Sequence, residues 1–314
     1  MKANIEKAKR RKKHRSKNAL AENIQYWILI LPALVYILIF NYIPMVGTVI
    51  AFKDYRYDLG MFKSRWVGFE NFKYFFESQD AWTITRNTVG YGILFIVLKI
   101  ICAVIIAVLL YEIGNRITLK FYQTSMILPN FMSWVVVSYI SYILLNSNGI
   151  LNTILAHMGK EQIQWYSDTR YWPAILASFS VWKYVGMDCV VYYAALMGLD
   201  SSIFEAAEID GAGRFKRIWY ITLPSLIPTI TILAILAVGG VIRGDFGLFY
   251  QITGDSKLLY SVTDVIDTYV YRGIRTGDLG ASSAVGLFQG VVGLVLVVAT
   301  NAIVKKISPE NSMF

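Results

Sequence analysis

Six runs of apolar residues, each long enough to cross a lipid bilayer, constrain this 314-residue chain more than any other feature. A hydrocarbon core of ~30 Å takes ~20 residues of helix. Backbone N–H and C=O groups meet no water there, so each run must close its hydrogen bonds within itself. The runs fall at about 26–52, 89–111, 121–145, 172–196, 226–242 and 284–303. They predict an all-α polytopic membrane protein of six transmembrane helices. One membrane domain would cover 26–305, between a basic tail at 1–25 and a short carboxyl-terminal tail at 306–314. Charge content agrees, at 16% against about 25% in soluble domains. The first run is too long for the core of a signal peptide and no small-x-small cleavage site closes it. Within it, Pro32 lies near the helix start, while Pro44 is expected to end or kink the helix.

The formal net charge of +9 is unevenly placed. Lys2, Lys7, Lys9, Arg10, Arg11, Lys12, Lys13, Arg15 and Lys17 crowd the amino-terminal tail. Such a run anchors a terminus on the cytoplasmic side and leans on anionic membrane lipid. No compact domain follows to present it to nucleic acid, so that partner is not expected. With the tail inside, six crossings return both termini to the cytoplasm. The inner segments then carry 16 Lys and Arg against 11 in the outer loops, which are longer. This is the asymmetry of the positive-inside rule.

The chain offers no chemistry of its own. Cys102 and Cys189 both sit in apolar runs and build no disulfide framework. His14 and His157 have no metal-ligand partner at useful spacing, and no nucleophile and base converge. No catalytic residue and no metal site is expected. Three outer segments read instead as short amphipathic helices. Residues 66–76 repeat aromatics (Trp66, Phe69, Phe72, Phe75, Phe76) at helical spacing, 150–158 gather Ile150, Leu151, Ile154, Leu155 and Met158, and 262–270 gather Val262, Val265, Ile266, Tyr269 and Val270. Packing on the helix bundle accounts for the first two. The third stays open between packing and a surface for an extracytoplasmic partner.

One inner loop differs from a plain linker. Ser202-Ile203-Phe204-Glu205 has the form of a capping box, and Glu205, Ala206, Ala207 and Glu208 follow as good helix formers. Gly211 and Gly213, either side of Ala212, should break that helix, since glycine accepts positive φ cheaply. A second short helix over 214–220 is expected to stop at Leu223-Pro224, where the chain re-enters the membrane. The product is a helical elbow outside the bilayer. Its first helix, ~15 Å long, suits a groove on a partner. Ala206 and Ala207 would allow close approach, with Glu205 and Asp210 anchoring the rim.

Glu205-Ala206-Ala207 followed by Asp210-Gly211-Ala212 and by Leu223-Pro224, between two membrane helices, resembles the loop that docks on the ATPase in binding-protein-dependent ABC importers. The chain is similar to the maltose-type, sugar-branch permease subunits with the type I importer fold. Trp66-Val67-Gly68-Phe69-Glu70-Asn71-Phe72, Arg86-Asn87-Thr88, Ile127-Leu128-Pro129, Gly149-Ile150-Leu151-Asn152, Ala194-Ala195-Leu196 and Thr263-Asp264-Val265-Ile266-Asp267-Thr268-Tyr269-Val270-Tyr271 extend the likeness over most of 26–305. Within the branch it looks most like permeases for plant-polysaccharide or uronate-containing oligosaccharides. The resemblance implies a subunit in a bacterial cell membrane. It would pair with a second, homologous permease and work with a dimer of ATPase subunits and an extracytoplasmic solute-binding protein that delivers carbohydrate. ATP and Mg would bind the ATPase, because no Walker motif occurs in this chain, leaving this subunit without a cofactor.

Several ionisable residues fall inside the runs, where each costs ~2.5–3.5 kcal/mol or more without a cavity or partner. Lys99 sits mid-run, and Lys183 and Asp188 lie in the fourth. Trp182, Lys183, Asp188, Tyr192 and Tyr193 are the expected lining of a sugar route, with interhelical bonding as the competing role. Arg243 and Asp245 are expected at an outer rim or gate. A type I permease for a polyamine or oxyanion is the alternative function. A membrane-embedded enzyme would need a catalytic constellation, and a secondary transporter internal repeats; neither shows.

Overall fold

The computed structural model describes residues 24, 26–307 and 309; the basic run at 2–17 and most of the carboxyl-terminal tail lie outside the described residues. Six helical stretches are long and apolar enough to cross a membrane: Tyr26–Phe52, Gln79–Tyr111, Trp134–His157, Thr169–Met197, Arg214–Val238 and Leu279–Lys306. They are called here the first to sixth spans. The only strands among the described residues are a two-residue antiparallel pair, Lys53–Asp54 with Arg65–Trp66.

Several expected boundaries move, each for a physical reason. The second span starts ten residues before the apolar run, at Gln79, and continues for 33 residues, or ~50 Å. Its first turns are too polar to count as apolar, yet Ala81, Ile84 and Thr88 are buried there. The third run, expected as one helix over 121–145, is broken. A helix over Arg116–Ile127 tightens into a 3-10 turn at Leu128–Phe131, and a new helix starts at Trp134. Pro129 denies the first helix a donor, and the Ser133 hydroxyl caps the second by accepting the Val136 N–H at 3.3 Å. The apolar crossing therefore runs Trp134–His157 rather than 121–145, with non-helical residues at 146–149.

Neither Pro44, expected to end or kink its helix, nor Pro224, expected to stop one, ends it. Pro44 is preceded by a π-helical turn at Leu38–Tyr42, after which the chain winds on as a 3-10 helix over Val46–Phe52. Pro224 is likewise preceded by a π turn at Ile218–Thr222, so residues 214–238 form one continuous helical path. A π turn shifts the hydrogen-bond register by one residue, which accommodates the N–H that proline lacks.

The core lies where the second and fourth spans run side by side. Ala103 and Ala107 of the second meet Val185, Cys189, Tyr192 and Leu196 of the fourth, with Leu226 of the fifth closing the cluster. Small residues let membrane helices approach closely, which is where dispersion and backbone contact hold them together. The approach is closest at Gly186, where a methyl group would fall 1.8 Å from the Met126 carbonyl oxygen. A second cluster joins Tyr91, Phe95, Val137, Trp172, Leu176 and Phe249 near the other end of the bundle. By contrast, the most apolar stretch of the first span buries none of its residues in this chain.

Candidate functional site

Two ends of the bundle carry the polar features, and a cavity lies between them. At one end is the elbow. Its first helix, Ser201–Ile209, is capped by Asp200, whose carboxylate accepts the Ser202 N–H at 2.9 Å. Asp200 therefore takes the capping role expected of Ser202. The helix ends as Gly211 adopts φ +75°. The Gly211 N–H then bonds to the Glu208 carbonyl at 3.0 Å and the Ala212 N–H to the Ala207 carbonyl at 2.9 Å. This pair of reversed bonds satisfies carbonyls that a helix end would leave open.

The elbow is fastened to the bundle at three points. Arg214 pairs with Glu112 at 3.0 Å, Arg217 with Glu208 at 3.1 Å, and the Phe204 ring meets Tyr111 at 5.7 Å. Of the expected docking residues, Glu205, Ala206, Asp210 and Gly211 are exposed, and Ala207 and Ala212 half-buried. Neither the Glu205 nor the Asp210 carboxylate forms a hydrogen bond or ion pair with a described residue. Ile209 is 87% exposed and Phe215 80%. Leu223 and Pro224 sit within the returning fifth span rather than at its entrance.

The expected sugar-route residues are not gathered in one place. Trp182 is exposed on the outside of the fourth span. Lys183 is 4% exposed, and its ammonium donates to the Pro129 and Asn130 carbonyls at 3.2 Å each and to the Met132 carbonyl. It thus caps the break in the third run, inside this chain. Tyr193 packs against the core cluster of the second and fourth spans. Asp188 and Tyr192 line a cavity of about 310 Å³, shared with Lys99, Ile96, Ile100, Leu233, Leu236 and Ala237.

Arg243 and Asp245 are not brought together as a pair. Asp245 accepts the Tyr184 hydroxyl at 2.7 Å, while Arg243 is exposed. The Tyr184 ring lies 5.3 Å from the Lys99 ammonium and 5.7 Å from that of Lys183. Cation–π contacts of this kind stabilise a partly desolvated ammonium.

The other end of the bundle holds a denser network that sequence reasoning missed. The segment read as one amphipathic helix over 262–270 is split, with a turn at Tyr260–Thr263 and a helix over Ile266–Thr276. Between them Asp264, buried, pairs with Arg272 and accepts the Thr268 hydroxyl at 2.6 Å. The Arg272 guanidinium also lies 4.3 Å over the Tyr260 ring. Asn87 donates to the Asp264 carbonyl at 3.0 Å, and the Thr88 hydroxyl accepts the Ile266 N–H at 2.9 Å. Asp267 accepts the Gly244 N–H at 2.6 Å and the Gln289 amide at 3.0 Å. Burial pushes the Asp267 carboxyl above the ordinary carboxylate range, against the opposing pull of those two bonds. The spacing Asp264, Thr268, Arg272 places all three on one helical stripe, a signal that was available. Asp80, Asp264, Asp278, Lys257, Arg272 and three tyrosines line a cavity of about 600 Å³ beside this network.

Comparison with known proteins places these features in context. Residues 99–310 match the family described as binding-protein-dependent transport system inner membrane component. Protein LplB of Bacillus subtilis is 39% identical, over 93% of this chain and 92% of that protein. The polygalacturonan/rhamnogalacturonan transport system permease protein YteP of the same organism is 34% identical, over 96% and 94%. Two solved structures superpose closely, each at 29% identity. One is of a bacterial ABC transporter involved in import of the acidic polysaccharide alginate (TM-score 0.84, 94% of this chain and 99% of that chain). The other is of a bacterial alginate ABC transporter in complex with an alginate pentasaccharide-bound periplasmic protein (TM-score 0.83, 93% and 97%). On the family match and these relatives, the chain belongs to the inner-membrane components of binding-protein-dependent transport systems, as the likeness of its elbow had implied.

Proposed function

We propose that this chain is one of two permease subunits of an ATP-driven ABC importer that takes up an oligosaccharide. A solute-binding protein delivers the sugar at the end of the bundle that holds Asp264 and Asp267. A separate pair of ATPase subunits engages the elbow, and both termini of this chain are cytoplasmic. ATP and Mg bind those ATPases. The observation that carries the reading is the elbow: a short helix held by its caps and two ion pairs, while Glu205, Asp210 and Ile209 face outward and the two carboxylates bond to none of the described residues. The cargoes of YteP and of the alginate transporters support a carbohydrate cargo here. The exposed part of the first span, residues 26–46, supports a second permease beside this one, because a helix exposed all round is free to pack against another subunit.

The elbow acts as a lever. ATP-driven closure of the ATPases would push the first elbow helix, and Arg214–Glu112 and Phe204–Tyr111 would pass that push to the second span. The test is uptake of labelled oligosaccharide by cells carrying the whole complex with Glu205→Ala or Gly211→Val. Valine at φ +75° is strained, so Gly211→Val should distort the docking face. Uptake is expected to fall tenfold or more while the complex stays inserted, and cross-linking from Ala207 should capture an ATP-binding subunit. Normal uptake in both variants would refute the docking role.

A further inference from the structure

The intramembrane cavity holds two opposite charges that no hydrogen bond or ion pair among the described residues engages. Lys99 of the second span and Asp188 of the fourth line the same 310 Å³ space. Among the described residues, neither side chain forms a hydrogen bond or an ion pair; the Lys99 ammonium lies 5.3 Å from the Tyr184 ring and attracts Asp188 only across the cavity. The contrast with Lys183, on the same span as Asp188, is direct, since that ammonium donates to three carbonyls. An unpaired charge at membrane depth is costly and marks a polar pathway or ligand. Two opposite charges in one cavity, otherwise walled by Ile96, Ile100, Leu233, Leu236 and Ala237, define what that ligand must offer.

We infer that this cavity is a subsite for one acidic sugar residue of the transported oligosaccharide. Lys99 receives the uronate carboxylate, and Asp188 accepts hydroxyls of the same ring. A carboxylate has two acceptor oxygens and suits a vicinal diol, while an ammonium offers three donors to an anion. The volume lies at the small end of ligand pockets, which run ~300–1,000 Å³, and fits a single ring rather than a chain. Opposite charges also keep the site from holding either a plain cation or a plain anion strongly, as passage requires. A polyamine would meet the Lys99 ammonium, and an inorganic oxyanion the Asp188 carboxylate.

This inference rests on the proposed oligosaccharide uptake and narrows its cargo to a uronate-containing one. The test uses cells with the complete importer and its binding protein. Labelled trigalacturonate and an alginate trisaccharide are each compared with the carboxyl-reduced form of the same sugar, as a ratio within one preparation. The ratio does not depend on how much complex is inserted. The wild type should favour the acidic form, Lys99→Gln should lower the ratio at least tenfold, and Lys99→Arg should keep most of it. Asp188→Asn should depress both forms together. An unchanged ratio in Lys99→Gln, or equal loss of both forms there, overturns the subsite. If the wild type imports reduced sugars but not acidic ones, the subsite fails and carbohydrate uptake stands. If it imports none of them, both readings fail.

Discussion

The two ends of the bundle spend their polar residues in opposite ways. At one end Asp264, Asp267 and Arg272 are each bonded to another part of the same chain, in a network that runs from Asn87 and Thr88 on the second span to Gln289 on the sixth. In the elbow, the two ion pairs hold the frame while Glu205 and Asp210 remain unengaged. A residue already satisfied inside the chain mainly holds shape, whereas a costly or prominent one left unsatisfied is available to a partner. The same contrast separates Lys183 from Lys99 within the membrane.

The contrast breaks if the bonded residues prove dispensable. Arg272→Met should give the largest loss of stability, about 3–5 kcal/mol, because it strands the buried Asp264 carboxylate. Thermal unfolding of the purified complex in detergent measures it, and a shift no larger than that of a surface substitution would break the comparison. Next comes Lys183→Met, which removes a donor from carbonyls at the break in the third run at about 1–3 kcal/mol in all, because the Pro129 carbonyl keeps the Met132 N–H. The matched Lys99→Met should cost less, since it removes no hydrogen bond and only an attraction on Asp188 across the cavity. Equal losses at the two lysines would erase the distinction.

The smallest expected effect is one of pH. Burial raises the Asp267 carboxyl in the folded protein above its ordinary value of 3.8. The folded state therefore binds this proton more readily than the unfolded state does. Its contribution is fully present below the unfolded value and is lost as pH rises through the folded value. Asp267→Asn keeps an acceptor for Gly244 and Gln289 but cannot titrate. Its unfolding midpoint should gain less than that of the wild type between pH 7 and 4, and identical profiles would sharpen the count by removing Asp267 from it.

Much of the fold was legible because the bilayer imposes a simple rule on sequence. Six apolar runs gave six helices, and Gly211 turned the elbow at the expected residue, because only glycine takes that φ without strain. Legibility failed where a local signal could be absorbed. Pro44 read as an end or a kink and Pro224 as a stop, but a preceding π turn carried the helix past both. Ser202 read as a cap, but Asp200 lies two residues upstream and took the bond. The start of the second span was missed because its first ten residues are buried against another segment, a fact that hydropathy does not carry.

The candidate site was less legible than the fold. Aromatic and charged residues along one run suggested a lined path, yet helix rotation sends Trp182 outward, Lys183 to a broken helix and Asp188 to a cavity. Sequence alone determined that the chain carries six membrane-length helices and a helical elbow that turns at Gly211, since those depend on apolar length, glycine and short-range motif. Only the tertiary structure decided which charges are spent and which are free. That depends on carbonyls and side chains brought in from distant segments, such as Met132 to Lys183 and Lys99 to the cavity of Asp188, across separations that no local pattern encodes.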